Sequence, residues 1–281
     1  MENNKNKKKR RSIFGGVIAQ TIVLLFYMLF ALFPLFWMVV LSLKSDKQMF
    51  TTTFLFNPTL ENYRVLLTSG GYLTAFWQSL IVSSLSVLIA IIAGTFGAYA
   101  LARFKFKGKE MWAFTILSFE FAPAILVVLP LFLIYQSTGL YDSYVGLMLV
   151  YQVIVLPLIV WVVRGYFEDI PVELEEAAQL DGYNWLQIFL RRLLPLVLPG
   201  VVSAALLSFI FAWNEFTFPL MLAGFNVHTV TVVSLNYLAS ATVHYGQVAA
   251  AATISAIPSI ILAISIQRYL VRGLSFGSIK E

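Results

Sequence analysis

The chain has 281 residues, 59% hydrophobic and only 12% charged, with a formal net charge of +5 and no cysteine. Soluble globular domains carry about 25% charged residues, so this composition excludes a domain folded in water. The missing thiols exclude disulfides and thiolate chemistry.

A bilayer core of ~30 Å needs about 20 apolar helical residues. Six stretches qualify: 12–43, 72–102, 111–141, 143–163, 193–227 and 245–267. An outer-membrane barrel would show short alternating strands instead. The expected fold class is all-α, a polytopic helical membrane protein with six transmembrane helices. "KNKKKRR" precedes the first stretch, but a secretory apolar region runs only about 7 to 15 residues, so this segment is expected to remain as a span. Residues 1–11 read as a disordered basic tail, and 12–281 as one transmembrane domain. By the positive-inside rule, an inner N-terminus and six spans put both termini in the cytoplasm. Sixteen of the 19 Lys and Arg residues then fall on the cytoplasmic side, leaving Lys44, Lys47 and Arg64 outside. That bias accounts for the positive charge without a nucleic-acid partner.

After the first span, an outer loop runs from Lys44 to Gly71, with a turn at Asn57-Pro58. The second span carries Ala90, Gly94, Ala98 and Ala102 at four-residue spacing, a small-residue face that lets helix backbones approach closely in lipid. "RFKFKGK" is a short basic return loop. The third span holds a single acid, Glu120, about nine residues or ~14 Å from its cytoplasmic end, with Pro123 and Pro130 loosening its helix. A charged side chain within a span costs roughly 2.5–3.5 kcal/mol on insertion scales, so Glu120 is assigned to a solute path.

"STGLYDSY" makes an outer turn containing Gly139. The fifth span opens with Pro195, Pro199 and Gly200, which predict a kink near its inner end. It closes in "WNEF". The Trp213 ring suits stacking on a sugar face or anchoring at the interface. Asn214 and Glu215 read either as a structural hydrogen-bond network or as the outer gate of the path. Residues 221–247 are too polar for a clean span and read as interfacial or partly re-entrant.

Residues 165–192, the longest cytoplasmic connection, contain "ELEEAAQLDG". Asp169 is expected to N-cap a helix with Pro171 in its first turn. Glu173, Glu175 and Glu176 complement the positive end of its dipole, and Gly182 supplies a left-handed terminus. Asn184 and Gln187 form a capping box for a second helix. Leu174, Ala177 and Ala178 share a face at helical spacing, shallow enough for close approach, with acids around it. Such an element is expected to dock into a groove of another protein.

"EAAQLDGYNWLQIFLRRLLP" resembles the EAA loop of importer-type ABC transporter permeases at Glu176, Ala177, Ala178, Gly182, Leu194 and Pro195; Arg192 departs from the usual apolar residue. "GLYDSYVGL" (139–147), "FAWNEFTFPL" (211–220) and "QRYLVRGLSFGSIK" (267–280) resemble the maltose-type carbohydrate subfamily. The resemblance implies a type I importer permease of six spans in the cytoplasmic membrane. It makes residues 165–192 a coupling loop seated in an ATPase subunit, with Glu173, Glu176, Ala177, Ala178, Asp181 and Gly182 as the contact set. It implies a homologous second permease, two ATPase subunits that bind ATP and Mg, an extracytoplasmic solute-binding protein and a carbohydrate substrate.

The chain has no G-x-x-x-x-G-K-[ST] phosphate loop, no metal-spaced array and no nucleophile–base pair. No catalytic or metal residue is expected, and His228 and His244 read as bystanders. An ion-coupled secondary transporter fits the two buried acids but calls for duplicated halves, and the sequence shows no internal repeat. With Glu120 and Glu215 and no Lys or Arg inside the spans, neutral saccharides or polyols are favoured over an anion such as glycerol phosphate.

Overall fold

The computed structural model describes residues 2–53, 55–69, 71–239 and 243–276. Helix α1 (Glu2–Ser42) extends back through the basic tail that the sequence reads as disordered. Lys and Arg are good helix formers, and no proline interrupts them before Pro34. Met1 and Lys280 lie outside the described residues.

Among the described residues, five helical runs are long and apolar enough to cross a membrane: Gln20–Ser42, Tyr72–Arg103, Tyr144–Glu168, Trp185–Asn214 and Tyr245–Ile266. After the short α2 (Glu61–Ser69) comes α3 (Tyr72–Arg103). The third apolar stretch is a bent pair, α4 (Lys109–Ser118) and α5 (Ala124–Thr138), with 94° between its arms. A 3-10 turn at Phe119–Phe121 ends the first arm, and Pro123, which has no N–H to continue the ladder, begins the second. Pro130 lies inside α5. The run completes six crossings when both arms count as one.

Helix α6 (Tyr144–Glu168) packs most extensively against α3. The small-residue face explains this. Ala90, Gly94 and Ala98 are buried, and a Cβ on Gly94 would come within 2.9 Å of Ile159. The core continues through α9 (Leu194–Asn214) by way of Val82, Tyr151, Val155, Val197 and Ala204. The span of α1 buries nothing inside this chain over its apolar window.

The fifth stretch differs from expectation at both ends. Ahead of the prolines, a π turn at Phe189–Leu193 joins α8 (Trp185–Ile188) to α9. A widened turn fits a helix whose next residues include Pro195. Its outer end stops at Asn214, because Glu215 is extended and its Oε1 accepts the Phe218 N–H at 3.0 Å. The short α10 (Thr217–Leu222) follows, then α11 (Val230–Ala239) and α12 (Tyr245–Phe276).

Candidate functional site

The acidic segment ELEEAAQLDG forms α7 (Glu173–Leu180). Asp169 does not cap it: Asp169 closes α6, and Val172 stands at the N-cap with no side-chain hydrogen bond. The reason is the Ile170-Pro171 pair. A residue before proline is driven out of the helical region, and the Ile170 carbonyl accepts instead from Arg103 Nη2 at 2.7 Å. The second helix begins as expected. Asn184 Oδ1 accepts the Gln187 N–H at 2.9 Å, and Gln187 Oε1 accepts the Asn184 N–H at 3.0 Å. Gly182 between the helices has φ +84°, which favours glycine.

The faces of α7 are divided differently from the sequence reading. Ala178 and Glu175 are buried, three residues apart on the inner side. Glu173, Glu176, Ala177 and Asp181 are exposed. Leu174 and Ala177, which flank Ala178 at helical spacing, stay exposed while Ala178 is buried. Beside the acids, Leu180 is 91% and Trp185 56% exposed, so the outer face is acidic with apolar tips. The inward Glu175 is held by two groups from the end of α3. Arg103 Nε donates to its Oε1, and the Tyr99 hydroxyl donates to its Oε2 at 3.1 Å. Tyr99 is boxed by Phe104, Phe167 and Phe189. Sequence reasoning missed this cluster; the only trace is Tyr99 and Arg103 one helical turn apart. A second clamp closes the same end: Arg164 bonds Glu110 at 2.7 Å and Glu168 at 2.7 Å.

The other set lies within the spans. Glu120 sits in the break of the bent pair, with Oε2 buried and no hydrogen-bond partner among the described residues. Trp213 is 2% exposed. Its Nε1 donates to the Ser255 carbonyl at 3.0 Å, Phe209 stacks on its ring at 5.9 Å, and Phe76 meets it edge-on at 5.3 Å. The ring is a packed strut, and a sugar would have to displace these neighbours to stack on it. Asn214 is exposed and lines a cleft of about 490 Å³ with Ile210, Ser255 and Ser259. Glu215 caps α10, and its carbonyl accepts from Thr231 Oγ1 at 2.9 Å. No hydrogen bond among the described residues joins Glu120 to Asn214 or Glu215. The cleft is lined mostly by apolar side chains, among them Leu35, Ile210 and Ile260, and the Asn214 amide nitrogen is already spent on the Ile210 carbonyl at 2.7 Å.

The end of the bundle away from α7 is stapled. Asp142 accepts the backbone N–H groups of Gly224, Phe225, Asn226 and Val227 at 2.8–3.0 Å. His244 Nδ1 lies 3.0 Å from Asp46. Among the described residues no His, Asp or Glu cluster of metal-binding shape occurs.

A family model described as binding-protein-dependent transport system inner membrane component matches residues 86–276. The chain is similar to the trehalose transport system permease protein of Mycobacterium tuberculosis, 35% identical over 279 residues, covering 96% of this chain and 98% of that one. It is 35% identical to the trehalose/maltose transport system permease protein of Thermococcus litoralis, with 97% of each covered. It is 32% identical to the diacetylchitobiose uptake system permease protein of Streptomyces coelicolor, with 96% and 99% covered. In structure it resembles a chain of a bacterial ABC transporter involved in import of the acidic polysaccharide alginate. The TM-score is 0.76 at 25% identity, over 92% of this chain and 96% of that chain.

Proposed function

We propose, because the chain belongs to the family of binding-protein-dependent transport system inner membrane components, that it is the carbohydrate-translocating permease of an ATP-driven importer. It is a multi-pass protein of the inner membrane and not an enzyme. In this reading ATP and Mg are bound by two separate ATPase subunits, a solute-binding protein delivers the sugar, and both termini are cytoplasmic. A second permease completes the complex; the unburied apolar length of α1 supports a partner there beside lipid.

The observation that carries the reading is the shape of α7. It leaves the bundle with Glu173, Glu176, Ala177 and Asp181 turned outward and Gly182 in a left-handed bend. That supports docking of residues 165–192 on a basic-rimmed groove of the ATPase. The test is reconstitution in proteoliposomes with the ATPase, second permease and binding protein. Uptake is measured for trehalose, maltose, diacetylchitobiose and glycerol phosphate. ATP-dependent uptake of a neutral saccharide is expected. Uptake driven by an ion gradient without ATP, or of glycerol phosphate alone, overturns the assignment.

Within the bundle, Glu120 lines the path and accepts sugar hydroxyls, while Asn214 and Glu215 shape its outer gate; Trp213 holds that gate in place. Glu120→Gln is expected to shift transport KM by about tenfold, the loss of one hydrogen bond to a charged group, with assembly intact. An unchanged KM for every sugar tested removes Glu120 from the path.

A further inference from the structure

The coupling helix is attached covalently to α6 and, through α8, to α9. Both of those helices contain an internal proline, Pro157 and Pro199, and the second is entered through the π turn. Proline removes a ladder hydrogen bond and softens a helix. The third attachment is not covalent. Arg103, at the last turn of α3, holds the Glu175 carboxylate and the Ile170 carbonyl, and Tyr99 holds the other carboxylate oxygen. The Arg103 and Glu175 side chains are only 10% and 9% exposed. An exposed ion pair lets go readily, whereas a buried one resists separation because each partner would be left as an uncompensated charge.

Helix α3 runs 32 residues without a proline, ~48 Å of helix at 1.5 Å per residue. Its far end is fastened by hydrogen bonds to the segment around residues 226–230 and to α12. Gln78 Nε2 donates to the Asn226 carbonyl at 3.0 Å, and its Oε1 accepts the His228 N–H at 2.8 Å. Ser79 Oγ accepts the Val230 N–H at 2.7 Å. The Tyr72 hydroxyl donates to the Ala251 carbonyl on α12 at 2.7 Å.

We infer that Arg103, Glu175 and Tyr99 are positioning residues that lock α7 to α3, and that α3 delivers the movement of α7 to the outer segment around residues 226–230. The inference rests on the docking reading of α7. It assigns the acids two tasks: Glu173, Glu176 and Asp181 meet the partner, and Glu175 grips the chain's own bundle.

The test uses the complete transporter in proteoliposomes. Because the chain lacks cysteine, Asn226→Cys is its single maleimide target. Trapping with ATP, Mg²⁺ and vanadate is expected to change its labelling rate by about threefold or more, within the range of intramolecular coupling. Glu175→Gln and Gln78→Leu should each largely abolish that change while ATPase subunits co-purify normally. The reversed pair Arg103→Glu with Glu175→Arg should restore it. Because the links act in series, the double variant Glu175→Gln with Gln78→Leu should be no worse than either single one. A parent whose labelling is unaffected by trapping overturns the inference, as does a full response in both Glu175→Gln and Tyr99→Phe. Loss of ATPase subunits from Glu175→Gln also overturns it, since Glu175 would then act in assembly. Full ATPase retention and uptake with Glu176→Lys would instead remove the docking reading itself.

Discussion

Asp142 adopts φ +54°, a left-handed backbone that Asp tolerates better than most residues. Burial pushes its carboxyl up, but the backbone N–H donors of residues 224–227 outweigh this and hold it below the usual carboxylate range. The sign follows from linkage. With the folded value depressed, the staple's contribution is fully present above the ordinary value of 3.8 and is lost as pH falls through the lower folded value. Amide exchange at residues 224–227 should therefore stay protected from neutral pH down to near that ordinary value. Asp142→Ala should lose protection at every pH, by about 1.5 kcal/mol, the low end for a charged hydrogen bond because the site is partly exposed. Protection that fades well above the carboxylate range would assign the staple elsewhere. Residues of this kind divide by reach. The Asn184–Gln187 box was legible because both partners lie within one turn. The inward turn of Glu175 was not, since its partners Tyr99 and Arg103 lie 76 and 72 residues away.

At the scale of elements, length and apolarity revealed the spans, because a bilayer imposes both. Their interruptions were only partly legible. Pro123 marks the break beside Glu120, but the end of α9 depends on a carboxylate reaching back to a backbone N–H three residues on, which apolarity does not register. The same distinction governs α7. Its existence followed from the acids and Gly182; its orientation followed from α3. Two substitutions separate these. Gly182→Pro imposes φ near −65° where the chain requires +84°, and Glu176→Lys reverses a charge on the exposed face. Both should lower sugar uptake at least about tenfold at normal expression, equivalent to ~1.4 kcal/mol of lost coupling, while the solute-binding protein keeps its affinity. Near-parental uptake in both would show that the bend and the exposed acid do not serve coupling.

For the whole molecule, the packing and the charge bias answer different halves of one question. The packing decides which loops share a side. Arg103 at the end of α3 grips Glu175 on α7, and Arg164 at the end of α6 grips Glu110 at the start of α4. The return loop 104–108 and the segment carrying α7 therefore lie at one end of the bundle. The other end holds the outer loop: Asn62 donates to the carbonyls of Ser42 and Lys44 at 2.9 Å, beside the start of α3. Packing alone leaves open which end faces the cytoplasm. The Lys and Arg bias supports the proposed orientation, with that end in the cytoplasm, and it was readable before any fold was known. In a chain without cysteine, single replacements report both halves. Lys107→Cys and Gln179→Cys should label together, and only with reagents that reach the cytoplasm. Thr52→Cys should label from outside intact cells. If Lys107 and Gln179 label from opposite sides, the packing of α7 against α3 is wrong. If they label together from outside, the packing stands but the orientation is reversed, and a segment facing away from the cytoplasm has no access to an ATPase.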